Sequence, residues 1–171
     1  MSELDRLDLE QLSPAGLWSA LDDATREQAV RSVYADGPGG GKLEADMAIA
    51  KALRFRPGAV KQLPLERRVG YLLKAVHVDD GLASTILLAF HLDGRAEILE
   101  TFLDELGIPQ QGGLIDDGYD LQPPDRDALE RAATTLYERF DASKTDLYLA
   151  ALLALDPATW GALRDVIEAR R

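Results

Sequence analysis

Along this chain apolar residues recur with the 3.6-residue period of helices, and the two-residue alternation of strands is nearly absent. Leu65, Val69, Leu72, Leu73 and Val76 follow the spacing i, i+4, i+7, i+8, i+11, while Leu129, Ala132, Ala133, Leu136, Tyr137 and Phe140 add the i+3 position to the same series. Each set covers one face of a helix and predicts an amphipathic element. Ile98, Leu99, Phe102, Leu103 and Leu106 form a third stripe. It stops at Gly107, a residue suited to a left-handed cap, with Pro109 just beyond to block continuation.

Two further segments have no polar face. No residue between Asp80 and Asp93 is charged, and Leu147 to Leu155 is unbroken apolar sequence. A helix apolar all round lies in a core or a membrane, and both segments fall short of the ~20 residues a membrane span requires. Two buried central helices are therefore expected. Ser13-Pro14 and Asp156-Pro157 each place a capping side chain before a proline at the first helical position, where no N–H is needed. Asp125 follows Pro123-Pro124 as another start, and Ser143-Lys144-Thr145-Asp146 reads as a capping box.

These signals predict an all-α fold, a compact multi-helix bundle around two buried central helices, with a degenerate HEAT-like helix-pair stack as the alternative. Trp18-x-x-Leu21 and Trp160-x-x-Leu163 echo the opening of a tetratricopeptide unit, but Asp22 and Arg164 stand where glycine belongs and no 34-residue period exists. Both tryptophans are expected as core anchors. The 171 residues suit a single domain spanning 1–171, with 1–42 as a semi-independent helical extension that ends in a Gly-rich connector.

Charge changes the picture more than composition does. The formal net charge is −11, yet Lys51, Arg54, Arg56, Lys61, Arg67, Arg68 and Lys74 face only Glu66 within the segment 51–74, a local +6 that leaves −17 for the remainder. Such asymmetry marks a docking surface for an anionic partner or for the chain's own acidic parts. The overall negative charge disfavours nucleic acid, whose binding rests on a broad cationic footprint. The chain has no cysteine, which excludes disulfides, thiolate metal sites and thiol nucleophiles. The opening Met1 to Arg6 lacks the basic flank and apolar core of a signal peptide, so a cytoplasmic protein without a membrane segment is expected.

Motifs that would carry chemistry fail on their particulars. Gly37-Pro38-Gly39-Gly40-Gly41-Lys42 would be a phosphate loop only with glycine at 36 and Ser or Thr at 43, where Asp36 and Leu43 stand, so a flexible connector is expected. His77 and His91 are 14 residues apart, about 21 Å on one helix at about 1.5 Å per residue, too far to share a metal. Asp79, Asp80 and Asp93 beside them are read as helix caps. An EF-hand numbered from Asp116 would need Gly at 121 and Glu at 127, where Leu121 and Asp127 stand. No nucleophile elbow is present, and neither a catalytic residue nor a cofactor is assigned.

Two features remain. On the helix expected from Leu65 to Val76, the apolar stripe leaves Arg67, Tyr71 and Lys74 together on the opposite face, a cationic and aromatic surface that Arg56 and Lys61 extend. The stretch Gly107–Gln122 is long for a connection, with four glycines and no positive charge. Leu114 and Ile115 are expected to anchor it jointly, leaving Asp116, Asp117 and Asp120 exposed. Asp104 and Glu105 just before it sit unfavourably at a helix C-terminus and need a compensating partner. The functional reading is a non-enzymatic helical module that binds an acidic protein partner, or itself, through the basic face. The alternative is an enzyme or a small-ligand or metal-binding domain built on aspartates 116–120.

Overall fold

The computed structural model describes residues 7–171, so the opening segment Met1 to Arg6 lies outside the described residues. The fold is all-α. In chain order the helices are α1 (Pro14–Ala20), α2 (Asp23–Val33), α3 (Lys42–Leu53), α4 (Pro57–Lys61), α5 (Leu65–Lys74), α6 (Asp80–Gly94), α7 (Ala96–Glu105), α8 (Arg126–Arg139), α9 (Ala142–Leu155), α10 (Pro157–Trp160) and α11 (Leu163–Glu168). Between α7 and α8 lie two short strands, β1 (Gln110–Gln111) and β2 (Leu114–Ile115). The helices group into two compact units, residues 21–94 and residues 7–20 with 95–171, dividing after Ala20 and after Gly94. Each unit is organised by one of the two apolar helices.

In the 21–94 unit that helix is α6. It starts where Asp79 Oδ1 accepts the Leu82 N–H at 2.9 Å, and it buries Leu82, Ala83, Ile86, Leu87, Ala89, Phe90 and Leu92. Helix α2 is its main partner, while α3 packs on α4, α5 and α6. The glycine segment connects α2 to α3 but is no loose tether. Gly39 donates its N–H to Asp93 Oδ1 at 3.1 Å and lies so close to α6 that a Cβ there would stand 2.5 Å from Ala89 Cα. A Cβ at Gly37 would meet the Asp93 carboxylate at 1.8 Å, and Gly41 adopts φ +97 beside Thr85. The glycines are thus explained by close approach of the loop to a helix. Asp93 ties down this loop at the C-terminal end of α6 and is not an N-cap, which corrects the sequence expectation. His91 is buried within α6, its Nδ1 2.9 Å from the Leu87 carbonyl, whereas His77 is exposed.

The other unit is built around α9, which contacts α1, α8, α10 and α11. Leu147, Tyr148, Leu149, Ala150, Ala151, Leu153 and Ala154 are buried, while Leu152 and Leu155 are only half-buried. The helix begins at Ala142 after Asp141, two residues before the expected capping box, and Thr145 is turned inward with a fully buried side chain. The other expected starts are borne out: Ser13 Oγ accepts the Gly16 N–H, Asp125 Oδ1 the Ala128 N–H and Asp156 Oδ1 the Thr159 N–H. Trp18 and Trp160 are both core residues, and Phe102 stacks edge-on against Tyr148 at 5.5 Å and tilted against Trp160 at 5.7 Å.

Candidate functional site: a basic and aromatic face

The site begins at the end of α3. Arg54 follows Leu53 with φ 57, ψ 36, the only described residue other than glycine with positive φ, and this left-handed turn returns its N–H to the Ala50 carbonyl. The Phe55 N–H reaches the same carbonyl at 3.0 Å. Arg56 then runs extended into Pro57, which opens the short α4 at its first position. Leu63-Pro64 ends that segment, and α5 follows. The turn at Arg54 sets Phe55 edge-on to Tyr71 of α5, with ring centroids 6.2 Å apart at 71°. Arg67, one turn before Tyr71, donates from Nη2 to its hydroxyl at 3.3 Å.

Helix α5 follows its predicted polarity except at its start, where Leu65 of the apolar stripe is 40% exposed. Val69 and Leu72 are buried, Arg67 and Lys74 are exposed, and Tyr71 is half-buried against Phe55. The structure therefore brings Arg67 and Tyr71 into contact, with Lys74 on the same face of the helix.

Pairing within the 21–94 unit decides which cations are available. Glu66, the single acid of the basic segment, is gripped by Arg31 of α2 through two 2.8 Å hydrogen bonds. Those bonds hold its carboxyl below the ordinary carboxylate range. Glu66 thus neutralises none of its sequence neighbours. Arg68 is turned inward, where its guanidinium lies 3.4 Å from the buried Asp46 carboxylate and 4.7 Å from the centre of the Tyr34 ring. Among the described residues, Lys51, Arg54, Arg56, Lys61, Arg67 and Lys74 have no carboxylate within 4.0 Å, and all six are exposed. Phe55 and Leu65, each 40% exposed, lie in the same stretch of chain. This stretch of chain thus exposes cations unpaired among the described residues together with aromatic and aliphatic surface, the mixture from which recognition patches are built.

From the sequence Arg54 counted only as one charge of the basic segment and Phe55 was not singled out, although the run Arg54-Phe55-Arg56-Pro57 carried a signal. An arginine where glycine is preferred at a helix end, and an exposed phenylalanine beside it, both run against local economy. A left-handed L-residue costs about 1 kcal/mol. Arg54→Gly is therefore expected to leave thermal stability unchanged or raise it by up to about 1 kcal/mol, while weakening binding to this face. Lower stability with undiminished binding would make Arg54 a purely structural cap.

The acidic stretch is arranged differently from expectation. Its centre is a hairpin with Gln110 paired to Ile115 and Gln111 to Leu114, turned by Gly112 at φ 61 and Gly113 at φ 84. Positive φ at both turn positions is what a tight two-residue hairpin demands, and the Gly-Gly dipeptide was the overlooked signal. Leu114 and Ile115 do not form a joint anchor. Adjacent strand residues point to opposite sides, so Leu114 is 44% exposed while Ile115 is half-buried, and Ile108 is the buried residue. Gly113 rests on α7, where a Cβ would come 2.8 Å from Leu99 Cβ. Asp104 has a neutral partner, since Gln110 Nε2 donates to its Oδ1 at 3.0 Å.

Asp117 and Asp120 are exposed and Asp116 is half-buried. Among the described residues no group of three or more histidines and carboxylates is placed to hold a metal ion. An open cleft of about 600 Å³ lies between the end of α7 and α8, lined by Glu105, Asp127, Glu130, Arg131, Thr134 and Thr135. It contains neither histidine nor any of the aspartates 116–120. No described helix is long and apolar enough to cross a membrane. Compared with protein-family models, with curated proteins and with solved structures, the chain matches none of them.

Proposed function

We propose that this chain is a cytoplasmic, non-enzymatic docking module that binds an acidic protein partner, including a second copy of itself, through the face formed by the end of α3, α4 and the outer side of α5. The observation that carries this reading is the set of six exposed cations of segment 51–74 that have no carboxylate partner among the described residues, in a stretch that also exposes Phe55 and Leu65 and sets Arg67 against Tyr71. Exposed ion pairs are worth little, so a fold gains almost nothing from cations in either arrangement. Leaving them unpaired while their one acidic neighbour is held by Arg31 favours a use outside the fold. Arg54, Arg56, Lys61, Arg67 and Lys74 supply attraction and orientation, and Phe55 and Tyr71 supply contact area at low entropic cost. A polynucleotide partner is disfavoured by the formal charge of −11.

The test is capture from extracts of cells that make the protein, using wild type and Arg67→Glu/Lys74→Glu at ionic strengths of about 0.05 M and about 0.3 M, which span strong and weak screening. Wild type is expected to retain partners at low salt and release them at the higher, and the reversed variant to lose those same proteins at equal thermal stability. Identical capture by both folded proteins would remove the face from consideration.

A further inference from the structure

We propose that the acidic surface received by the basic face is the hairpin segment 114–120 of a second copy of this chain. This rests on the docking reading above and names its occupant. The first support is the distribution of charge between the units. Residues 21–94 contain ten acidic and ten basic side chains, so the formal charge of −11 belongs entirely to the rest of the chain. Within that remainder, Gly107–Gln122 contains three aspartates and no cation to mask them.

The second support is apolar. Of the seven large hydrophobic residues that are strongly exposed among the described ones, Leu114 and Tyr119 lie on the acidic segment, and Phe55 and Leu65 lie with the cations. Each surface thus carries exposed apolar side chains among charges of one sign, and the two signs are opposite. That is the arrangement in which a desolvated contact is bordered by complementary charge.

The third support is shape. The hairpin's ladder, its Gly113 seat on α7 and the Gln110 bridges to Asp104 and to the Gly113 N–H hold the segment in a defined conformation. The backbone bond from the Asp116 N–H to the Pro109 carbonyl, and that from the Tyr119 N–H to the Asp116 carbonyl, continue this order as far as Tyr119. Little ordering entropy is then lost on docking. Because the contact joins two different patches, it either closes by mutual exchange between two copies or repeats head to tail.

Sedimentation velocity on the full chain tests this across micromolar to hundreds-of-micromolar protein, at low ionic strength and at about 0.5 M salt, where screening is nearly complete. Wild type is expected to associate at low salt and return to monomer at high salt. Asp117→Lys/Asp120→Lys and Arg67→Glu/Lys74→Glu are each expected to remain monomeric. All four side chains are exposed, and matched circular dichroism establishes that both variants fold. An equimolar mixture of the two variants is expected to associate, because each supplies the surface the other lacks. A wild type monomeric at every concentration, variants that associate as wild type does, or a mixture of folded variants that stays monomeric would each overturn the proposal. If wild type is monomeric while capture of another protein still depends on Arg67 and Lys74, this inference alone fails. If capture is indifferent to those residues as well, the docking reading fails with it.

Discussion

Replacing Phe102 with alanine is expected to cost about 3–5 kcal/mol, the range for deleting a fully buried aromatic side chain. Phe102 is completely inaccessible and joins α7 to α9 and α10 through Tyr148 and Trp160. The cavity cannot collapse cheaply, because both neighbouring rings are held by their own helices. Denaturant unfolding followed by tryptophan fluorescence reads the effect directly, since Trp18 and Trp160 both belong to the unit that contains Phe102. Leu153→Ala, fully buried on α9, is expected to fall in the ~2–5 kcal/mol range, and the half-buried Leu152→Ala clearly below it. Equal losses at 152 and 153, or a loss below about 1 kcal/mol at Phe102, would contradict the position assigned to α9.

The second large effect is expected at Asp46. This carboxylate, 4% exposed, accepts the Tyr34 hydroxyl at 3.0 Å and faces Arg68, tying the end of α2 to α3 and α5. Removing one partner of a buried ion pair costs ~3–5 kcal/mol, and the partial exposure of Arg68 sets Asp46→Ala toward the lower end. Leaving Arg68 unmatched is the main penalty, so pairing Asp46→Leu with Arg68→Met is expected to recover much of the loss. A double variant no better than Asp46→Ala would assign the cost to packing instead. The same cluster gives an alkaline signature. Burial, and then the Asp46 charge and hydrogen bond, push the Tyr34 hydroxyl above its ordinary 10.0. Since a raised folded value favours the protonated native state, this stabilisation is complete below pH 10 and is lost as the pH rises toward the folded value. Tyr34→Phe is expected to flatten the decline in stability above that pH.

The helices and their faces were legible because one residue type at one spacing decides them. The α5 stripe, the α7 stop at Gly107 and the caps at Ser13, Asp125 and Asp156 are local statements, and local chemistry fixed them. What escaped depends on meetings between distant residues. The glycines at 37, 39 and 41 have a reason only once α6 lies against them, and Asp93 differs from a cap only because Gly39 arrives from 54 residues away. The hairpin was missed because its strands are two residues each, too short for alternation to register. For the basic face, sequence gave the positions of the cations but not their pairing. Glu66 looked like their neutraliser until Arg31 claimed it, and Arg68 looked like a surface charge until Asp46 drew it inward.

The most direct test of the docking face is a photo-crosslinking residue placed at Tyr71 in cells that make the protein, with exposed Glu138 on α8 as the control position. The basic-face account predicts a discrete protein adduct from position 71, absent from position 138 and abolished when Arg67 and Lys74 are both changed to Glu. No adduct at 71, or the same adduct at both positions, would contradict it.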